Sequence, residues 1–112
     1  MRKLNELMNL SQKKSLIIGG AGYVGQAAAQ ALLELGAHVT LLDRDIEAAK
    51  TRANQLNQEY PNCVEAYECD LLDEQSTRQV LKDAISNLGG LDILIHTAAF
   101  IGLSQIEGWN VP

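Results

Sequence analysis

The run Gly19-Gly20-Ala21-Gly22-Tyr23-Val24-Gly25 follows an apolar segment, Leu16-Ile17-Ile18, and opens a helical pattern. A chain that leaves a strand and turns straight into a helix can bring a phosphate onto the helix's first N–H groups, and glycine lets the backbone approach closely. Gly19, Gly22 and Gly25 give a GxxGxxG spacing. Gly19 is expected to make the tight turn, Gly22 to let backbone reach a pyrophosphate, and Gly25 to let the helix pack closely on the sheet. The same spacing also fits a glycine-rich turn with no ligand. The strand before it and the helix after it favour a bound dinucleotide.

Further residues agree with that reading. Asp43 stands where a second strand ends, and a carboxylate there can accept both hydroxyls of an adenosine ribose. Each such charge-assisted bond contributes about 1.5–3 kcal/mol. A 2′-phosphate would meet like charge, so Asp43 favours NAD over NADP, with Arg44 beside it as the competing phosphate partner. Asp70 and Leu71 follow a third strand and could meet the adenine edge; a plain loop aspartate fits Asp70 nearly as well. His96 ends a fourth strand, and Thr97-Ala98-Ala99 after it leave room for a flat ribose and nicotinamide. A histidine bonding neighbouring backbone is the preferred reading of His96, ahead of a catalytic base. His38 reads as a surface residue.

The bulk composition excludes several classes. The chain has 112 residues, 46% of them hydrophobic and 21% charged, with a net charge of −5. It is one globular domain, 1–112, with residues 1–14 as a lead-in. No basic cluster exceeds Lys13-Lys14, which is too small for a nucleic-acid surface. No run is long and apolar enough for a membrane span, and the start lacks the apolar stretch of a secretory signal. Cys63 and Cys69 would sit roughly 20 Å apart along one strand, too far for a disulfide. Their spacing matches no zinc pattern, and a cytoplasmic protein with reduced thiols and no metal follows.

These residues need a frame. Strands are expected near Ser15–Ile18, Ala37–Leu42, Cys63–Cys69 and Leu91–His96. A first helix carries Val24, Ala28, Ala31 and Leu35 on its inner face and ends at Gly36. Asp45 caps a second, with Ile46, Ala49, Ala53, Leu56 and Tyr60 inward, broken by Pro61-Asn62. Asp73 caps a third, with Val80, Ala84 and Leu88 in register, closed by Gly89-Gly90. Strands alternating with helices imply an α/β fold with a parallel sheet and right-handed crossovers. Order 3-2-1-4 puts two helices on one face and the third on the other, a doubly wound sheet with its switch point at the glycine run.

Together these segments resemble the short-chain dehydrogenase/reductase family, over most of the chain. Leu16 through Gly25 looks like its cofactor turn, Asp43 its ribose position, Asp70-Leu71-Leu72-Asp73 its adenine-side motif, and Leu91 through Ala99 its fourth strand. The resemblance implies a Rossmann-type fold and an oxidoreductase moving hydride between nicotinamide and an alcohol or carbonyl. It implies cofactor contacts from Gly19, Ala21, Gly22, Tyr23, Val24, Gly25, Asp43, Arg44, Asp70, Leu71, Thr97, Ala98 and Ala99. Ile18 stands where the family commonly has threonine, and His96-Thr97-Ala98-Ala99 where it commonly has Asn-Asn-Ala-Gly. The glycine spacing and His96-Thr97-Ala98-Ala99 lean toward the extended, nucleotide-sugar epimerase or dehydratase branch, whereas the overall rhythm and Leu88-Gly89-Gly90-Leu91-Asp92 look like the main branch. The family's catalytic serine and Tyr-x-x-x-Lys pair lie beyond the fourth strand, and none of Tyr23, Tyr60 and Tyr67 has a lysine four residues on. The expected protein is therefore the cofactor-binding N-terminal part of such an enzyme, inactive alone; a non-catalytic nucleotide-binding module is the alternative. Its uncovered sheet face and open edge are expected to drive self-association.

Overall fold

The computed structural model describes residues 9–97. Four strands, β1 (Lys14–Ile18), β2 (His38–Asp43), β3 (Val64–Glu68) and β4 (Ile93–His96), alternate with three helices, α1 (Tyr23–Glu34), α2 (Ile46–Glu59) and α3 (Glu74–Leu88). The sheet order is β3-β2-β1-β4, parallel throughout. Register runs Ile18 beside Leu42 and His96, and Asp43 beside Glu68. The four-strand sheet and three crossover helices are those expected from the sequence.

Local chemistry sets the boundaries. The Asp45 carboxylate accepts the Ala48 N–H at 3.1 Å, and Asp73 accepts that of Ser76 at 3.0 Å, each capping its helix. Gly36 (φ 98°) follows α1, and Gly89 (φ 81°) closes α3 in the left-handed conformation. β4 starts at Ile93 rather than Leu91. Ahead of it, the Lys14 N–H donates to the Asp92 carboxylate at 2.9 Å and the Asp92 N–H to the Lys14 carbonyl at 2.8 Å. A side chain thus does there what ladder backbone would otherwise do.

The two sheet faces bury different sets. Ile17, Val39, Leu41 and Val64 meet α1 and α2 through Ala29, Leu32, Leu33, Ala53 and Leu56. Leu16, Ile18, Leu42 and Cys69 meet α3 through Ala84, with Val80, Leu81 and Ile85 packed beside them. Each fully buried leucine or isoleucine contributes about 1.5–3 kcal/mol of transfer free energy. The phase of α1 differs from expectation: Gly25, Ala29, Leu32 and Leu33 are buried, and Val24 is 68% exposed. Alanines spread around this helix give little apolar contrast to fix its phase. The close seat of Gly25 on the turn fixes it instead. Among the described residues, no helix is long and apolar enough to cross a membrane.

Candidate functional site

At the carboxyl ends of the strands, the β1–α1 turn, the end of β2, the loop after β3 and the end of β4 surround a cleft of about 530 Å³. It is lined by Ile18, Gly19, Gly22, Tyr23, Val24, Leu42, Asp43, Arg44, Cys69, Asp70, Leu71, Leu72 and Thr97. Nine of the residues singled out in the sequence therefore come together: Gly19, Gly22, Tyr23, Val24, Asp43, Arg44, Asp70, Leu71 and Thr97. Ala21 and Gly25 do not line the cleft and support its wall from behind. Ala98 and Ala99 lie outside the described residues.

The turn is held on several sides. Gly19 has φ 88°, where a side chain would be strained. The Gly19 and Gly20 N–H groups both donate to the Leu42 carbonyl, at 2.7 and 3.2 Å, and Gly22 N–H donates to the Gly19 carbonyl at 3.1 Å. Gly22 caps α1 with no side-chain bond, and the first turn contains no acidic residue. The first bond into the helix is from Gln26 N–H to the Gly22 carbonyl at 2.9 Å. The preceding amides of Tyr23, Val24 and Gly25 have no partner among the described residues. Unpartnered amides at the positive end of a helix suit an anion.

Gly25 serves the turn rather than the sheet. A Cβ there would collide with the Gly19 carbonyl oxygen and lie 2.9 Å from Gly20 Cα. The glycine pressed on the sheet is Gly20, whose Cβ would sit 2.8 Å from Leu41 Cβ and Cδ2. Gly20 falls between the spaced glycines, so the spacing gives no signal of this contact. Gln26 Nε2 also braces the turn, donating to the Ala21 carbonyl at 2.8 Å; nothing in the spacing of a helical glutamine signals that bond.

Asp43 is half-buried, and its carboxylate already accepts two amides: Ala21 N–H on Oδ2 and Asp45 N–H on Oδ1, each at 2.9 Å. Each oxygen keeps a second lone pair for a sugar hydroxyl. Arg44 is exposed at the rim. The Asp70 carboxylate accepts the Leu72 N–H at 3.0 Å, so it shapes its own loop. Its carbonyl accepts the Thr77 hydroxyl at 2.9 Å and the Asp73 N–H at 3.0 Å. Leu71 and Leu72 are 42% and 80% exposed beside it, an apolar rim suited to a flat ring. Cys69, Leu42 and Ile18 form the apolar floor, a role the sequence reading did not assign them.

His96 has an exposed side chain on β4 and makes no hydrogen bond to the described residues, among which β4 is the outer strand. His38 is exposed at the opposite end of the sheet, as expected. Cys63 and Cys69 are both free thiols. Among the described residues there is no cluster of three or more metal-ligating side chains.

A parallel sheet in this order, with a glycine turn and an acidic strand end at its switch point, defines a dinucleotide-binding class of α/β domain. The chain matches the short chain dehydrogenase family over residues 13–110, and it belongs to that oxidoreductase family. It is 32% identical over 104 residues to human 15-hydroxyprostaglandin dehydrogenase [NAD(+)], covering 92% of this chain and 38% of that one. The chain therefore spans about two fifths of the length of that relative. Among solved structures, it resembles NAD+-bound xylitol dehydrogenase (TM-score 0.77, 26% identity, 83% of this chain and 35% of that chain). It also resembles the NADPH-dependent 3-quinuclidinone reductase of Rhodotorula rubra (TM-score 0.75, 28% identity, 84% of this chain and 35% of that chain).

Proposed function

We propose that this chain is the cofactor-binding N-terminal part of an NAD-dependent short-chain dehydrogenase/reductase. The observation carrying this reading is the convergence of the α1 amides, the Asp43 carboxylate and the apolar Leu71–Leu72 rim on one cleft. The amides of Tyr23 and Val24 would hold the pyrophosphate, with Gly25 supporting the turn behind them. Asp43 would take the adenosine ribose, and the loop at Asp70 and Leu71 the adenine. Thr97, with Ala98 and Ala99 after it, would border the nicotinamide side. When bound, the nicotinamide supplies or accepts a hydride; this chain's own residues bind and orient. A proton donor and acceptor for turnover are not among these 112 residues, whose proposed role is to bind and orient the cofactor. Two free thiols support a reducing, cytoplasmic setting.

NAD is favoured over NADP because a 2′-phosphate would approach the Asp43 carboxylate. Arg44 beside it lies exposed at the rim, where water screens its charge. Calorimetric titration tests this. NAD should bind more tightly than NADP, and Asp43→Ala should weaken NAD at least about tenfold. Equal NAD affinity in Asp43→Ala would overturn the ribose assignment. No binding of either dinucleotide by folded protein would overturn the cofactor assignment itself. We further propose that the protein self-associates through β4, whose Leu94 is 56% exposed.

A further inference from the structure

The β1–α1 turn turns on a single carbonyl. The Gly19–Gly20 peptide is bonded at both ends: Gly20 N–H to the Leu42 carbonyl at 3.2 Å, and the Gly19 carbonyl to Gly22 N–H at 3.1 Å. The same Gly19 carbonyl presses against Gly25, where it leaves no room for a Cβ. Its direction thus fixes where the first turn of α1 begins. Among the described residues, one side chain reaches it. The Thr97 hydroxyl lies 2.9 Å from the Ile18 carbonyl and 3.1 Å from the Gly19 carbonyl, donating to both in a three-centre arrangement. The side chain of Ile18, next to the turn, offers no polar atom.

We propose that the Thr97 hydroxyl is a positioning group for the dinucleotide turn: it holds the Gly19 carbonyl from β4 and so keeps the α1 amides aimed into the cleft. This rests on the cofactor reading above. Thr97 is half-buried and also lines the cleft, so it ties the strand bordering the nicotinamide side to the turn receiving the phosphates. Its loss leaves no orphaned carbonyl. The Ile18 carbonyl keeps the Thr97 N–H at 2.8 Å, and the Gly19 carbonyl keeps Gly22 N–H. The fold is therefore expected to survive removal of the hydroxyl, with the effect confined to the turn.

Thr97→Val keeps the shape and removes the hydroxyl; Thr97→Ser keeps the hydroxyl. Amide hydrogen exchange on ligand-free protein should show faster exchange at Gly20 and Gly22 in Thr97→Val, with protection of Leu16 and Leu41 unchanged. NAD affinity should fall about three- to tenfold, and Thr97→Ser should restore both. Wild-type exchange and affinity in Thr97→Val would overturn the proposal. So would a uniform loss of protection across β1 and β2, which would make Thr97 a general strand contact. If the unsubstituted protein binds no NAD, the cofactor reading fails, while exchange at Gly20 and Gly22 still decides the tether.

Discussion

A methyl group at Gly25 would meet the Gly19 carbonyl and lie 2.9 Å from Gly20 Cα, both of them backbone that cannot rotate away. Gly25→Ala should therefore cost about 1–3 kcal/mol in denaturant unfolding, the usual range for overpacking. Gly22 has an ordinary φ of −76°, and a Cβ there would make a normal contact, 3.5 Å from the Gly19 carbonyl. Gly22→Ala should keep stability within about 1 kcal/mol while weakening NAD binding, since Gly22 lines the cleft. Equal stability loss in the two variants would show that the glycines do not divide their work this way. The sequence marks Gly25 by its spacing alone and so misjudges its neighbour, which depends on how α1 folds back over the turn. Asp43 is similar: its place at a strand end is readable, but its bonds to Ala21 and Asp45 join two loops that meet only in the folded chain.

Element order was legible because local chemistry punctuates it. Asp45, Asp73, Gly36 and Gly89 stop and start helices through bonds within a few residues of themselves. The phase of α1 was not, since only the packed turn selects among its alanines. A third kind of information joins one element to the next. The Asn57 side chain, on α2, donates to the Val64 carbonyl at 2.8 Å and accepts the Cys63 and Val64 N–H groups at 3.1 and 3.0 Å. It pins the start of β3 to the helix before it. Asn57→Ala should lower stability by about 1–3 kcal/mol, with faster amide exchange concentrated at Cys63 and Val64. Unchanged exchange there would mean that β3 is held by its ladder with β2 alone. Nothing in the residues around Asn57 distinguishes it from the other polar side chains of α2.

At the scale of the whole molecule, the two sheet edges differ. β3 carries Glu65 and Glu68 outward, both exposed, and such charges discourage pairing. Among the described residues β4 has no neighbour beyond it, and Leu94 is exposed on the face that α3 leaves open. Leu94→Lys should shift the protein toward monomer in sedimentation velocity, and a wild-type protein that stays monomeric at high concentration would remove the basis for the proposed association. The asymmetry of the edges also bears on how far such growth can go. A chain with two receptive edges adds copies indefinitely and makes a fibre, whereas a chain with one can only meet its twin across a two-fold axis. Were β4 to pair with a second copy, that geometry would give a finite pair, an eight-stranded sheet with a glutamate-bearing margin at each end.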